Sequence, residues 1–379
     1  MTIKNMILLG IAFIFLCPVI NAGYYRDALS EYQNNNFDEA IKILQEGLKA
    51  APNDEGMARL LGQVYFRIKN YEEAQKAFQL AISLDPDDDV SYYHLGLSFL
   101  QQRDAQGKPK PAWFEASQAF AKAVELQPDD WRYNSYLGNS LVMQRNFQQA
   151  LQPLEKAYAS EEGKNDYRVA TDLGTVYQTL NDNEKAITLF EKAISIDAEK
   201  QAPYVYLGSL YIAESLFDKA VAVAEKLISI LPNESKGYSV KGQAELRKKS
   251  FVDAESSFSK AIQLDPTDPS LFYYRGLAKE GQVSANASTY QSLIDDYAKA
   301  VTLSGASAST EWRYRLGNAY DMEAALYWDR AVRHAESRSN CLRYLRKAKQ
   351  EFEAAKEHPN VQQQLSIVNE RIRQLEALS

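Results

Sequence analysis

The chain has few of the residues from which enzymes and metal sites are usually built. Its 379 residues include only 2 cysteines and 3 histidines, and His94, His334 and His358 lie far apart along the sequence. It contains no HExxH pair, no paired cysteines, no GxxxxGK[ST] phosphate loop and no GxSxG elbow. We therefore expect no enzyme activity, no metal and no cofactor.

The sequence also lacks an excess of positive charge. Lys and Arg together number 43 against 50 Asp and Glu, which gives a formal net charge of −7. Because non-specific nucleic-acid binding needs clustered cations that displace counterions, we expect no nucleic-acid partner. One basic run, residues 330–349, predicts the exposed face of a helix. The alternative for this Arg-rich helix is peripheral membrane contact with acidic lipid, or docking to an acidic partner.

One long apolar run is present, and it lies at the N-terminus. Residues 6–20 read MILLGIAFIFLCPVI, preceded by Lys4 and followed by the small residue Ala22. A membrane-spanning helix needs about 20 apolar residues, so this run is short for an anchor. Its layout predicts that residues 1–22 are a cleaved signal peptide and that the protein is exported, to the periplasm. An uncleaved N-terminal anchor is the alternative. After cleavage Cys341 would be the single cysteine, so the mature protein would fold without an internal disulfide.

Beyond the signal, the chain repeats itself at a spacing of 34 residues. Glycines 62 and 96 differ by 34, as do the successive glycines 174, 208, 242 and 276, and Gly138 belongs to the same series at a longer spacing. Most of these glycines are followed, 12 residues later, by an alanine, then by a bulky residue four further on, and many units close on a proline. The alanines are Ala74, Ala150, Ala186, Ala220 and Ala254, and the bulky residues are Phe78, Leu154, Phe190 and Phe258. Small residues let two antiparallel helices approach closely, and proline ends the second helix, so the pattern predicts helical hairpins.

The repeat is interrupted at a few places, which define the predicted domain organisation. Eight extra residues fall near 101–111, where Gly and Pro predict an exposed loop. We expect about eight repeats in residues 23–303, with a degenerate last unit, and a small-residue linker at 304–310. Residues 311–379 are expected to form a degenerate helical repeat and a capping helix, because apolar residues from Val361 to Leu378 recur at steps of three and four.

This pattern resembles the tetratricopeptide repeat (TPR) family, whose signature combines Leu-Gly, Tyr, Ala, Phe, Ala and Pro within 34 residues. The resemblance covers nearly the whole mature chain. It implies an all-α fold, a right-handed superhelical solenoid of stacked hairpins closed by a C-terminal capping helix. It also implies that a protein partner binds, as a peptide or helix, in the concave face formed by the first helix of each hairpin.

The resemblance further implies which side chains line that face. In the family they are chiefly the second, fifth, sixth, ninth, twelfth and thirteenth positions of each unit, with the glycine eighth. Reading the second, fifth, sixth and ninth positions gives the candidate groove residues Arg59, Gln63, Tyr93, His94, Arg132, Tyr136, Asn139, Thr171, Asp172, Tyr206, Ser209 and Gln243. Tyr offers contact area at low rotamer cost, and Asn and Gln can bond a peptide backbone. The alternative is that the tyrosines pack one hairpin on the next.

One variant of the family holds a partner's terminal carboxylate with Lys, Asn and Arg side chains. At the corresponding places this chain has Arg59, Gln63, His94, Arg132 and Tyr136, which are only loosely analogous. Together with the predicted signal peptide, the resemblance implies a non-catalytic interaction scaffold of the bacterial cell envelope. The alternatives are an accessory subunit of a glycan-handling, secretion or pilus-assembly machine, and a sensor of a small ligand.

Overall fold

The structure is a computed structural model that describes residues 23–104, 106–283 and 290–378. The predicted signal peptide, residues 1–22, lies outside this part, as does 284–289 in the irregular eighth repeat. Within the described residues the chain is helical, and the β structure there is one isolated bridge between Arg103 and Pro109. No helix of this part is both long enough and apolar enough to cross a membrane.

The chain divides into two compact units, of which the first ends at Ile196. Its helices pair as antiparallel hairpins, α1/α2, α3/α4, α5/α6, α7/α8 and α10/α11, and the short α9 lies between the last two pairs. Their bounds are α1 23–33, α2 Phe37–Ala50, α3 Glu55–Arg67, α4 Tyr71–Leu84, α5 Asp89–Leu100, α6 Trp113–Leu126, α7 Trp131–Met143, α8 Phe147–Ala159, α9 Glu161–Lys164, α10 Tyr167–Thr179 and α11 Asn183–Ile196.

The second unit, Asp197–Ser379, has three hairpins of the same size, then one hairpin with longer helices and a final single helix. The bounds are α12 Gln201–Ala213, α13 Phe217–Ile230, α14 Ser235–Arg247, α15 Phe251–Leu264, α16 Pro269–Gln282, α17 Gln291–Ser304, α18 Thr310–Ala331, α19 Ala335–Ala354 and α20 Val361–Glu376. The expected linker at 304–310 contains a 3-10 turn, Gly305–Ser307.

Glycine packs the two helices of seven hairpins together, as the repeat pattern predicted, whereas Gly208 of α12 packs on Val240 of α14. A Cβ atom built on Gly62 of α3 would lie 2.6 Å from the ring of Phe78 in α4. The same contact recurs as Gly96 on Phe120, Gly138 on Leu154, Gly174 on Phe190, Gly242 on Phe258, Gly276 on Tyr297 and Gly317 on Phe352. Any larger residue would push the helices apart, which confirms the predicted role of this position.

The turn inside six hairpins has three residues and a common backbone. Its central residue has a positive φ, as Lys69 does at 64°, and the other five are Asn35, Arg145, Asn181, Ser215 and Lys249. The third residue donates its N–H to a carbonyl five residues earlier, for example Asn70 to Tyr65 at 2.9 Å. This is a Schellman end, whose hydrogen bonds satisfy free carbonyls of the first helix. These bonds offset the cost of the left-handed conformation, about 1–2 kcal/mol for a residue with a Cβ.

An aspartate caps the N-terminus of the first helix in several hairpins. Asp54, Asp88, Asp130, Asp166 and Asp268 each accept a hydrogen bond from a backbone N–H in the first turn. Such a side chain satisfies one of the free N–H groups and is favoured by the helix dipole. Two of these carboxylates, Asp88 and Asp130, also pair with arginines of the predicted groove.

The insertion after α5 forms a small closed loop. The Asp104 carboxylate accepts from the N–H groups of Gln106 and Lys108, at 2.9 and 2.8 Å. The N–H of Lys110 donates to the carbonyl of Gln102 at 2.8 Å, which closes the loop at its base. The insertion is therefore held by its own hydrogen bonds and keeps a defined position at the end of α5.

At the C-terminus, α20 buries the apolar stripe of its sequence. Val361, Val368 and Leu375 are buried, whereas Leu378 is 46% exposed. The basic run ends in α19, and several of its cations have partners within the unit. Arg346 pairs with Glu376 at 2.8 Å, and Arg338 donates to the carbonyl of Leu378 at 2.6 Å. Membrane contact through this helix stays a prediction.

Candidate partner-binding site

Aromatic side chains from α5 and α7 form a continuous group in the first unit. The Tyr93 ring lies 5.6 Å from that of Tyr136 and 4.9 Å from that of Tyr133, measured between centroids. Tyr136 also stacks on the buried Phe120 at 5.4 Å. Tyr93 and Tyr136 are half-buried, so each packs on the helices beneath and still presents part of its ring. These tyrosines therefore do pack one hairpin on the next, and partner contact through their exposed parts stays a prediction.

His94 joins this group to the preceding hairpin. Its ring stacks on Phe78 with centroids 5.5 Å apart and lies edge-on to Phe66 at 6.0 Å. Burial, together with the positive charge of Arg132, lowers the pKa of His94 below its ordinary value, although the Asp88 carboxylate opposes the shift. The imidazole is therefore neutral at pH 7. Its Nδ1 atom is buried and has no hydrogen-bond partner among the described residues.

Two arginines of the predicted groove are already neutralised by aspartates at helix starts. Arg59 pairs with Asp88 at 3.2 Å, and that carboxylate is almost fully buried. Arg132 pairs with Asp130 at 2.6 Å. Burial alone would raise the pKa of Asp130, but the hydrogen bonds from Arg132 and from the N–H of Tyr133 hold it below its ordinary value. Because both guanidinium groups are engaged, the loose analogy to a terminal-carboxylate site lacks its free cations.

A cavity of about 450 Å³ opens where α1, α3, α4 and α5 meet, and we call it the α3–α5 cavity. Its lining is aromatic and basic, and none of the described residues that line it is acidic. These residues are Tyr32, Gln63, Phe66, Arg67, Lys69, Tyr71 and His94. Arg67 and Lys69 are exposed and make no ion pair with any described residue. The cavity therefore presents two free positive charges beside aromatic walls.

A second recess, of about 530 Å³, continues from this cavity across Lys69 and Tyr71. Its far wall is the start of the insertion, Gln101, Gln102 and Arg103. The Arg103 guanidinium donates to the carbonyl of Gly107 at 2.8 Å, which fixes it on the loop. The insertion thus extends the recessed surface and adds the cation Arg103 to it, while Glu72, which pairs with Lys76 at 3.2 Å, is the acidic residue of the same recess.

Three further predicted groove residues form hydrogen bonds within or between helices of the first unit. The Asp172 carboxylate accepts from the Asn139 side chain at 2.8 Å and so links α10 to α7. Burial raises the pKa of Asp172 to about 6. Thr171 is buried, and its hydroxyl donates to the carbonyl of Tyr167 at 2.6 Å. These groups are therefore bonded inside the first unit.

The remaining predicted groove residues belong to the second unit. Tyr206 is 39% exposed, and Ser209 beside it on α12 is also exposed. The Gln243 amide, on α14, donates to the hydroxyl of Ser239 at 3.2 Å. Within this unit the predicted residues are spread over two helices, α12 and α14.

Sequence reasoning missed most of the α3–α5 cavity. Phe66 and Arg67 occupy the twelfth and thirteenth positions of their unit, and reading those positions would have found them. Lys69 and Tyr71 lie in and just after the hairpin turn, outside the positions that the family pattern names. Gln63 and His94 are the predicted residues that the structure brings into the cavity.

Models of the tetratricopeptide repeat match four stretches of this chain. They cover residues 31–97, 114–166, 167–200 and 204–269, which is more than half of its length. These stretches contain most of the regular hairpins of both units and the α3–α5 cavity.

Known proteins share the pattern at low identity. Superkiller complex protein 3 of Homo sapiens is 35% identical over 69 residues, which are 18% of this chain and only 4% of that protein. The C-terminal part of a TPR repeat-containing protein from Cytophaga hutchinsonii is 20% identical, with a TM-score of 0.50, covering 69% of this chain and 100% of that one. YrrB, described as a TPR protein with an unusual peptide-binding site, is 20% identical, with a TM-score of 0.46, covering 52% and 97%. The fold class is confirmed: an all-α solenoid of helical hairpins.

Proposed function

Since this chain belongs to the tetratricopeptide repeat family, and is thus a protein–protein interaction scaffold, we propose that its first unit binds an acidic peptide segment of a partner protein. Proteins of this family and fold generally act without catalysis. The observation that carries the proposal is the α3–α5 cavity, whose described lining residues include no acid and in which Arg67 and Lys69 form no ion pair with any described residue.

Charge favours an anionic guest for this cavity. Burying a carboxylate is costly unless it is paired, and two guanidinium or ammonium groups without partners supply that pairing. The Gln63 amide, which lines the same cavity, can add a hydrogen bond to this guest. An acidic side chain of a peptide can therefore pair with more of the polar groups in this cavity than an amide or a cation can.

The aromatic group supports a peptide rather than a small anion. From the cavity, contacts run through His94 to Tyr93 and on to Tyr136, so apolar surface continues beside the charged recess. Large aromatic rings with few rotamers give contact area at low entropic cost. A peptide with acidic and aromatic side chains in alternation can use both surfaces.

Binding of synthetic peptides tests the proposal. Three labelled peptides of equal length would alternate Tyr with Glu, with Gln or with Lys, and fluorescence polarisation would give their affinities at low salt. We expect the Glu peptide to bind more tightly than the Gln peptide, and the Lys peptide not to displace the Glu peptide. The double charge reversal Arg67→Glu with Lys69→Glu should weaken the Glu peptide at least tenfold, about 1.4 kcal/mol.

The chain offers a matched control for the double variant. Arg145 has the same turn position and positive φ as Lys69, and Lys49 is an exposed cation of α2. Neither lines the α3–α5 cavity. Arg145→Glu with Lys49→Glu changes the net charge equally and should leave the affinity almost unchanged. Equal losses for both double variants, or equal affinity for the Glu and Gln peptides, would contradict the site.

We also propose that this binding takes place outside the cytoplasm, in the bacterial cell envelope. The support is the sequence of residues 1–22, a cation followed by an apolar run and a small-residue exit. In fractionated cells that express the full chain, the protein should be recovered from the periplasm. Its N-terminal sequence should begin near residue 23, and a mature protein that begins at Met1 would refute the cleaved signal.

A further inference from the structure

A second cavity, of about 740 Å³, lies in the first unit between α8, α10 and α11, and we call it the α8–α11 cavity. The charge of its lining is opposite in sign to that of the α3–α5 cavity. Glu155, Asp182 and Glu184 supply three carboxylates at its wall, against the single cation Lys185. The floor is apolar, with the buried Leu173 and Leu189 beneath Tyr158 and Tyr177.

The chain itself shows that this cavity accommodates a cation. The Lys185 ammonium lies 4.6 Å from the centroid of the Tyr177 ring and 2.8 Å from the Asp182 carboxylate. Yet the Lys185 side chain is 59% exposed, so it covers the edge of the cavity and does not fill it. An ammonium over an aromatic face beside a carboxylate is the arrangement that binds Lys and Arg side chains.

Two of the carboxylates remain available to a guest. Glu155 accepts a hydrogen bond from the Tyr177 hydroxyl at 2.5 Å and has no ion pair among the described residues. The Glu184 carboxylate has neither an ion pair nor a hydrogen bond within the described part of the chain. Both residues are exposed, at the mouth of the cavity.

The cavity lies beside an irregular connection of the chain. Residues 160–166 join α8 to α10, whereas four residues make the corresponding connections at 51–54, 85–88 and 127–130. The extra length forms α9, in which Gly163 packs on the end of α8. A Cβ on Gly163 would lie 1.9 Å from the carbonyl oxygen of Ala157. Tyr158 and Ala159, at this end of α8, line the cavity.

We propose that the α8–α11 cavity is a docking site for a basic polypeptide segment of a partner protein. A Lys or Arg side chain of that segment lies over the Tyr177 ring, with its charge between Glu155 and Glu184. Its aliphatic stem contacts Leu173, Leu189 and Tyr158. The site uses different helices from the α3–α5 cavity and takes the opposite charge, so either site can fail its test without the other.

A labelled peptide that alternates Lys with Ala is the probe, and its Glu counterpart is the reference. We expect the Lys peptide to bind the full chain, and the isosteric change Glu155→Gln with Glu184→Gln to weaken it by about fivefold to tenfold, as expected for two surface ion pairs. Glu161→Gln with Glu162→Gln, on the neighbouring α9 and outside the cavity, is the matched control. Equal affinities of these two double variants would overturn the proposal.

Lys185 gives a test in the other direction. Because its ammonium lies at the edge of the cavity and repels a guest cation, Lys185→Met should tighten binding of the Lys peptide by about threefold. Lys192→Met removes the same charge from α11 outside the cavity, and it should have a smaller effect. A larger gain at Lys192 would overturn the site.

Two further measurements identify the occupant. The Glu–Tyr peptide that is proposed for the α3–α5 cavity should not displace the Lys peptide, since the two sites are separate. Displacement of the Lys peptide by millimolar tetramethylammonium alone would indicate a small-cation site, and self-association seen by light scattering would indicate a second copy of this chain. Either result would overturn docking of a basic partner.

Discussion

Replacing Phe120 with alanine is expected to lower the free energy of unfolding of the first unit by about 3–5 kcal/mol. The ring is fully buried and fills the space against Gly96, where a Cβ would lie 2.6 Å from it. Alanine would leave a void between α5 and α6 and would remove the surface on which Tyr136 stacks. Urea denaturation followed by circular dichroism would measure the loss.

The same helix supplies the control for this substitution. Phe114, also on α6, is 60% exposed, so Phe114→Ala removes an equal side chain from water and should change the stability by less than about 1 kcal/mol. The Phe120 variant should also bind the Glu–Tyr peptide less tightly, because Tyr93 and Tyr136 rest on that ring. Equal losses of stability for the two variants would show that the glycine–phenylalanine contact does not hold this hairpin together.

Asp172→Asn is expected to make the first unit more stable at neutral pH. Burial raises the pKa of Asp172 to about 6 from its ordinary value of 3.8, although the Asn139 bond and Arg168 oppose the shift. The folded state therefore binds a proton more readily than the unfolded state between these values. The wild-type unit should gain stability as the pH falls from about 7 towards 4, by up to about 3 kcal/mol from this group.

The asparagine variant lacks this titration and should be the more stable protein at pH 7.5, with the difference vanishing near pH 4. Asp166→Asn, six residues earlier, should show the opposite sign. Although burial alone would raise it, the hydrogen bonds from Arg168 hold the pKa of Asp166 below its ordinary value, so that variant should be the weaker one at neutral pH. Urea denaturation at several pH values would measure both. A pH-independent difference for Asp172→Asn would contradict the buried charge.

The hairpins could be predicted because their main contact is local in sequence. Gly62 and Phe78 are 16 residues apart, and Gly174 and Phe190 have the same separation. Both residues of each contact therefore lie within a single 34-residue repeat, where the spacing makes them visible. The last hairpin was harder, since Gly317 meets Phe352 only because α18 and α19 are both longer than the regular helices. Extra helical turns in both α18 and α19 keep the contact between the two residues but change their separation in the sequence. A pattern search then sees a degenerate repeat.

The candidate site could be predicted only in part, because a sequence does not show which charges are already paired. Arg59 and Arg132 have the right positions, but Asp88 and Asp130 hold them. Arg67 and Lys69 look unremarkable in sequence, and their importance comes from the acid-free cavity that α1, α4 and α5 close around them. The α8–α11 cavity likewise depends on packing between three helices, which the repeat pattern does not specify.

The six turns with a central left-handed residue have a consequence for how such a chain can change. In each of them that side chain is exposed, while backbone bonds on both sides fix the path. The position is occupied by Asn, Ser, Lys or Arg within this one protein. The turn therefore forms with any of these four residue types. Substitutions at this position can therefore change the surface charge of one hairpin at a time during evolution. A reporter group can be attached there without disturbing the packed helices.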